Sequence, residues 1–442
     1  MTVDSQPLVR SDDGSRAQEF FQIETITQWT EFFKSELWDR YVLQLSVTEP
    51  SLHHAKLALG AMHRSLTTDA AVQEYGKFAI QQYNKAISYV VRPLKPLRLI
   101  VVLVACWMFS CFEVMRGNHK VLGLHLTSGL QLVASHDSVK HGEKGPEYGL
   151  GVNSESRALL ECLMQHFSVL DLQMMLYEPD WISASMRYCQ QPREPISFSS
   201  MSQARHHLTT LLLGVIEIKR QEMRLVTVDA LEKGDIHFKR QRVLGELHRW
   251  SEAFELFFDR RTRNLMREDV RVGLLLQIQH LAGSIHLSVT ASDEETGYDK
   301  HLPEFQKIVS LSRELMGPLE PSSSKRPKIK KFLYEHGVIP SLYLAGYKCR
   351  DPLVRREAHC QLASIQRKEG VWDSHMMAKV VWHIVDIEES SRVVRCSSDI
   401  PEEGRVWREF LHAVDDPEPS TVVFEFRLND GSGTRLVERC LN

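Results

Sequence analysis

The sequence lacks closely spaced cysteines, which excludes two classes of small stabilised domain. Its eight cysteines lie at positions 106, 111, 162, 189, 349, 360, 396 and 440, and none forms a C-x-x-C pair. Disulfide frameworks and structural zinc sites both need thiols in a recognisable spacing, so neither is expected. The twenty histidines show no H-E-x-x-H or comparable ligand spacing. We therefore expect no metal, no cofactor and a reducing compartment.

Catalytic motifs are also missing. The short glycine cluster at residues 431–433 lacks the strand, turn and helix context of a phosphate-binding loop or a nucleophile elbow. We expect no catalytic residue and no enzyme activity.

An excess of either charge is absent as well. Lysine and arginine number 54 against 57 aspartate and glutamate, a formal net charge of −3. No overall basic field would hold the protein on nucleic acid or on an anionic membrane. The first sixteen residues have no apolar core of the kind a signal peptide needs, which favours a location inside the cell.

The longest apolar run is too short for an ordinary membrane span. From Leu99 to Phe112 no side chain is charged, while a span needs about 18 apolar residues. This run predicts a core helix buried on every side, which ends near Gly117. Cys106 and Cys111 lie on it and are expected to pack as small apolar groups. Glu113 is expected to pair with Arg116 one turn later, and a second helix should follow.

Helical spacing of apolar residues recurs along the chain and predicts an all-α protein, a large multi-helix domain with a small C-terminal β-hairpin. The hairpin is predicted over TVVFEFRLNDGSGTRLVE, which alternates in part and contains Asn-Asp-Gly. Residues 1–18 are predicted as a flexible tail, 19–426 as the helical domain and 427–442 as the hairpin end. Asp351 with Pro352 predicts a helix start, and Gly370 its end.

The sharpest change in composition is GPLEPSSSKRPKIKK at residues 317–331, where a boundary within the domain is expected. Its cations form a candidate nuclear-import signal: Lys325, Arg326, Lys328, Lys330 and Lys331. A solvated loop and a direct DNA contact are the alternative interpretations. A short basic patch without a fold motif cannot read DNA sequence.

Several blocks in order resemble the fungal-specific regulatory domain that lies behind the binuclear zinc cluster of fungal transcription factors. They are LWDRYVLQLSVTEPSLHHAKLALGAMHRS, YNKAI, CFEVMRGNHKVLGLHLTSGLQLV, FSVLDLQ, GVIPSLYLAGYKCRDPLVRREA, KEGVWDS and IEE. The resemblance covers residues 20–426. The positions that carry it, with structural roles expected, are Trp38, Tyr83, Asn84, Glu113, Gly117, His125, Gly129, Asp171, Gly337, Pro340, Cys349, Arg350, Asp351, Arg355, Arg356, Glu369, Gly370 and Trp372.

The resemblance implies an all-helical domain of transcriptional regulators, often of secondary metabolism, that dimerises or receives signals. DNA-binding members carry six closely spaced cysteines before this domain, whereas this sequence has none before Cys106. We therefore expect a regulator or co-regulator that reaches DNA only indirectly, as a homodimer or as a heterodimer with a zinc-cluster transcription factor. We also expect that a small-molecule effector can bind and that the protein does not contact a membrane. The expected location is the nucleus, with the cytoplasm as a second location.

Two alternatives stay open. One is a stand-alone helical protein that binds a small molecule or another protein without chromatin association, which an apolar helical core permits. The other is a helical enzyme of a type that the sequence motifs do not identify.

Overall fold

The computed structural model describes residues 11–68, 72–140, 154–183, 185, 196–224, 230–262, 267–290, 293–317, 331–390, 392–412, 421–427 and 434–441. Most of them are helical, which confirms the predicted all-α class. The α-helices are α1 Ser11–Phe20, α2 Ile26–Trp29, α3 Leu43–Thr48, α4 Pro50–Thr67, α5 Val72–Val91, α6 Leu99–Arg116, α7 His119–Lys140, α8 Ser154–Tyr177, α9 Met201–Arg224, α10 Ala230–Thr262, α11 Arg267–Ser288, α12 Leu302–Met316, α13 Ile339–Lys348, α14 Pro352–Ile365 and α15 Ser374–Glu389. Short π-helical turns precede α2 and α3, and a 3₁₀ helix, Glu295–His301, precedes α12.

The chain divides into two compact units. The first comprises Met1–Phe167 and Lys328–Tyr334, and the second comprises Ser168–Pro327 and Glu335–Asn442. The division at residues 327 and 328 falls within the segment where the composition changes, whereas the division at residue 167 lies inside α8 and has no signal in the sequence.

Helix α6 is the core of the first unit. It has the length and hydropathy of a membrane span, but 83% of it is buried inside the protein. Cys106 and Cys111 are buried, as predicted, and burial raises the pKa of the Cys106 thiol to about 11. Gly117 ends the helix with a φ of 70°, a left-handed conformation that favours glycine. The uncharged run therefore predicted the helix, its burial and its end.

Residues 11–18 of the predicted tail belong to α1, whereas residues 1–10 lie outside the described part. The polar composition of this segment gave no sign of a buried contact, yet Ala17 is fully buried. A Cβ atom on Gly60 of α4 would lie 2.1 Å from the Ala17 carbonyl oxygen. Because Gly60 has no side chain, α1 can pack directly against the backbone of α4.

The second unit combines α9–α15 with a three-stranded antiparallel sheet in the order β4 (Val406–His412), β5 (Thr421–Arg427) and β6 (Thr434–Cys440). Strands β5 and β6 pair from Thr421 opposite Cys440 to Arg427 opposite Thr434, which confirms the predicted hairpin. Strand β4 was not predicted. It pairs with β5 through a register shift between Val406 and Arg408, so its alternation is interrupted.

Helix α14 ends earlier than predicted. It begins at Pro352 after the Asp351 cap, as expected, but ends at Ile365, where Gln366 has a φ of 48°. Residues Arg367–Glu369 (β2) then pair with Trp372–Asp373 (β3), and Gly370 lies in the turn between them. Gly370 therefore forms a hairpin turn rather than the end of the helix. One more short strand, β1, spans Lys331–Leu333 in the first unit.

Candidate functional site

A cavity of about 140 Å³ lies inside the second unit. Helices α8, α9, α11 and α13 and strands β3 and β4 contribute to its wall. Most of the lining is apolar, with Leu172, Leu212, Val215 and Ile216 as examples. A concave, largely apolar space with a few polar groups is typical of small-molecule sites.

Lys348 is the only lysine or arginine in the cavity wall among the described residues. Its ammonium donates to Oε1 and Oε2 of Glu295 and to the Trp407 carbonyl oxygen, each at 2.9 Å. An ammonium has three N–H donors, so all are used within the protein. Burial lowers the pKa of Lys348, while the Glu295 carboxylate opposes this shift.

Glu409 of β4 is the acidic residue of the cavity wall. Tyr343 donates a 2.8 Å hydrogen bond to its carboxylate, and Tyr347 donates at the same distance to the Trp407 carbonyl oxygen. Burial raises the pKa of Glu409 and favours its neutral form, although Lys348 opposes the shift. Burial likewise raises the pKa of Tyr343. Uncompensated charge is therefore disfavoured on this side of the cavity.

Two histidines line the same space. Burial lowers the pKa of His286 to about 3 and that of His336 to about 4, so both imidazoles are neutral at pH 7. The His336 carbonyl oxygen accepts from Gln279 Nε2 at 2.5 Å. Within the part of the chain that the structure describes, the imidazole of His286 has no hydrogen-bond partner. A neutral imidazole offers one donor and one acceptor to whatever occupies the cavity.

A buried ionic network connects Lys348 with other charged residues, several of them in the same block of the resemblance. Arg350, which is fully buried, donates to Glu295 and to Glu388, each at 3.0 Å. Arg355 donates to the other Glu388 oxygen at 2.8 Å. Burial alone would raise the pKa of Glu388, but these two guanidinium groups lower it. The carboxylate of Glu388 is thus held in its charged form by its two guanidinium partners.

The residues at the edges of the network differ in their burial. Arg356 is about half exposed and pairs with Glu389. Arg405 is buried and donates to both carboxylate oxygens of Asp299 at 2.8 Å. Asp351 accepts from the backbone N–H of residues 353 and 354 and so caps α14. Cys349, between the network and the cap, is buried, and burial raises the pKa of its thiol to about 11.

Glycines in the same blocks allow close contacts. A Cβ atom on Gly337 would lie 2.2 Å from the Glu369 carboxyl carbon, and the Glu369 carboxylate accepts from the Ile339 N–H at 2.8 Å. Gly370 has a φ of 58°, and a Cβ atom there would overlap the Gln173 side chain. The spacing of these glycines therefore reflects backbone packing rather than a phosphate-binding loop.

Other residues of these blocks support the cavity wall directly. Pro340 lies in the first turn of α13, and Trp372 of β3 packs against Tyr343 with ring centroids 5.7 Å apart. Both Pro340 and Trp372 line the cavity. Asp171 of α8 is fully buried and accepts from Trp181 Nε1 at 2.7 Å and from the Ser185 N–H at 3.0 Å. The Asp171 carboxylate thus fixes the chain that follows α8.

In the first unit, three of the residues that carry the resemblance lie close together, although each is on a different helix. Tyr83 of α5 and His125 of α7 share a 2.8 Å hydrogen bond, and Glu113 of α6 lies close enough to raise the pKa of Tyr83 further after burial. Arg116 lies 3.2 Å from both Glu113 oxygens, which confirms the predicted pair. Asn84, the neighbour of Tyr83, is exposed.

Two further positions are packing residues. Trp38 is fully buried, with its ring 4.9 Å from that of Trp29 and 5.9 Å from that of Tyr334. Gly129 of α7 faces the Phe167 ring, which would lie 2.8 Å from an added Cβ atom. These contacts bind the helices of the first unit to one another.

The candidate import signal lies mostly outside the described residues. Lys325, Arg326, Lys328 and Lys330 are not described, whereas Lys331 begins β1 and lies 3.4 Å from Glu31. The import interpretation stays a prediction. Cys189 and the glycine cluster at 431–433 also fall outside the described part. Across the described ranges, no group of three or more histidine, cysteine, aspartate or glutamate residues has a metal-binding arrangement.

Sequence reasoning missed most of the cavity. His286, His336, Lys348 and Glu409 were not among the candidates, because they lie in four separate segments. Lys348 itself lies within the block GVIPSLYLAGYKCRDPLVRREA, and this membership is the signal that could have identified it.

The comparisons with known proteins agree with the resemblance. A family model described as "Fungal specific transcription factor domain" matches residues 19–384. The "Aspercryptin biosynthesis cluster-specific transcription regulator atnN" of Emericella nidulans is 22% identical over an alignment of 498 residues, which covers 90% of this chain and 77% of that protein. No solved structure matches the chain. Because the family match spans most of the sequence, the protein belongs to the fungal-specific transcription factor domain family.

Proposed function

We propose that this protein regulates transcription of a fungal biosynthetic gene cluster from the nucleus, through a DNA-bound partner that carries a zinc cluster. The observation that carries the proposal is the similarity, over 90% of the chain, to a relative whose name states that it is a cluster-specific transcription regulator. The family match over residues 19–384 supports regulation of transcription in general. The proposal assigns no catalytic step to the chain.

Indirect contact with DNA is supported by the cysteine pattern. Zinc-cluster domains hold their metal with closely spaced thiolates, and the cysteines of these 442 residues are dispersed. The net charge of −3 also provides no general attraction to phosphate. A partner with a related helical domain would supply both the metal site and the contact to bases.

Chromatin immunoprecipitation of the tagged protein, with sequencing of the recovered DNA, tests the regulatory role. We expect enrichment at a confined set of promoters, mostly of neighbouring genes, and changed transcript levels of those genes when the protein is deleted. An absence of enrichment in cells that express the protein in the nucleus would contradict the proposal and favour a binding protein without chromatin association.

A gel-shift experiment separates indirect from direct contact with DNA. The purified 442-residue protein, with and without added zinc, should leave the enriched promoter fragments unshifted. Nuclear extract from the same cells should shift them, and an antibody against the tag should retard the complex further. A specific shift by the purified protein alone would show that the partner is not required.

A further inference from the structure

We propose that the cavity of the second unit binds a neutral compound of about the size of one aromatic ring, which forms a hydrogen bond with His286. This inference does not depend on the proposed role in transcription. It concerns binding by the folded chain, and its test uses purified protein.

The size of the occupant follows from the volume of the cavity. The cavity measures about 140 Å³, and an engineered apolar cavity of about 150 Å³ in another protein binds benzene. Leu172, Leu212, Val215 and Ile216 give this wall a comparable apolar character. A ring with a short substituent therefore matches the volume of this space.

The charge of the occupant follows from the ionisable groups in the wall. The three N–H donors of Lys348 are already used by Glu295 and by the Trp407 carbonyl oxygen. Glu409 accepts from Tyr343, and its carboxyl group is displaced toward the neutral form by burial. Neither group offers an unpaired charge to a ligand ion. An isolated buried ion is costly, so the site selects against anions and cations.

The polar contact is assigned to His286. His286 is half-buried, lines the cavity together with apolar side chains such as Val215 and Ile216, and makes no hydrogen bond to another described residue. A polar atom that faces a largely apolar cavity is favoured when a bound molecule pairs with it. A hydroxyl, carbonyl or amide group on the occupant would pair with this imidazole as donor or acceptor.

Ligand-observed NMR with four probes of equal ring size tests the proposal on the purified full chain at pH 7.5: toluene, benzyl alcohol, benzoate and benzylamine. We expect saturable binding of toluene and benzyl alcohol, and affinities at least about tenfold lower for the two ions. Failure of both neutral probes to bind the folded protein would overturn the proposal. Benzoate or benzylamine binding as tightly as benzyl alcohol would overturn the assignment to neutral compounds.

Substitutions place the binding in this cavity. Ala282→Leu adds three carbon atoms to the α11 wall, and we expect it to abolish binding of both neutral probes. Ala363→Leu makes the same change at an equally half-buried site on α14, outside the cavity, and should leave binding unchanged. Both variants are checked for native circular dichroism and thermal unfolding. Equal affinities in the native protein and a folded Ala282→Leu variant would show that the probes bind elsewhere.

His286→Leu tests the polar contact separately from folding. The substitution removes an unpaired polar group from an apolar wall, so stability should not fall. Benzyl alcohol should bind about two- to tenfold more weakly than to the native protein, the value of one net hydrogen bond, while toluene should bind as before. A parallel loss for both probes, or no loss for benzyl alcohol, would contradict the role of His286.

Discussion

Replacing Glu388 by glutamine should destabilise the second unit far more than the loss of one surface ion pair. The carboxylate is fully buried and accepts from Arg350 at 3.0 Å, from Arg355 at 2.8 Å and from the Val406 N–H at 2.7 Å. Glutamine keeps the shape but leaves both guanidinium groups without this counter-ion. Removal of one partner from a buried pair costs about 3–5 kcal/mol of unfolding free energy. For a unit of this size, that lowers the melting temperature by roughly 10 °C.

Glu357→Gln provides the matched control. Glu357 pairs with Arg313 at 2.7 Å, a distance as short as those of Glu388, but the two side chains are 32% and 55% exposed. An exposed pair contributes at most about 1 kcal/mol, so this variant should unfold near the native temperature. Thermal unfolding of both variants by differential scanning calorimetry measures the difference. Equal stabilities of the Glu388→Gln, Glu357→Gln and native proteins would refute the reasoning that burial makes the network strong.

The pH dependence supplies a second readout of the same prediction. The Arg350 and Arg355 guanidinium groups lower the pKa of Glu388 in the folded protein, after burial has acted in the opposite direction. A depressed pKa means that the unfolded state binds the proton more readily. The stabilisation is therefore complete above about pH 4.3, the ordinary pKa of glutamate, and is lost as the pH falls through the folded pKa. The gap between native and Glu388→Gln stability should narrow over that acidic range.

Four other perturbations test the first unit and the basic segment. Leu103→Asp should prevent folding, because it places an unpaired carboxylate at a site 1% exposed; soluble protein with native circular dichroism would contradict this. Gly60→Ala should lower the free energy of unfolding by about 1–3 kcal/mol, because its Cβ atom would overlap the backbone of α1. Gly76→Ala is the control on α5: it has open space around it and should stabilise the helix by up to about 1 kcal/mol. Burial lowers the pKa of His63 to about 3, so acid favours the unfolded state. Between pH 7 and pH 5 the free energy of unfolding from urea titration should therefore fall by about 2 kcal/mol less in His63→Gln than in the native protein. Alanine at the five cations of residues 325–331 should reduce nuclear fluorescence of a tagged chain, and unchanged accumulation would remove the case for an import signal.

Local signals in the sequence predicted local structure well. The uncharged run of α6 predicted a buried helix that ends at Gly117, and Asp351 with Pro352 predicted the start of α14. Asn-Asp-Gly predicted the β5–β6 hairpin. Each of these features depends on residues within a few positions of one another, where spacing and capping chemistry decide the outcome. The cavity depends on residues as far apart in the sequence as Leu172 and Glu409. Periodicity within one segment therefore does not indicate which helix faces pack together around it.

The buried charges show why a motif can be recognised in the sequence while the environment of its side chains is predicted wrongly. Lysine and arginine in a helical pattern normally indicate a solvated face, yet Lys348, Arg350 and Arg355 are all buried. Their burial requires Glu295 and Glu388, which lie 55 positions before and 38 positions after Arg350. No rule of spacing connects such distant partners. Because these charges are paired with each other, they are not available to bind solvent or a ligand ion. The cavity beside them therefore offers apolar and uncharged polar groups to a ligand.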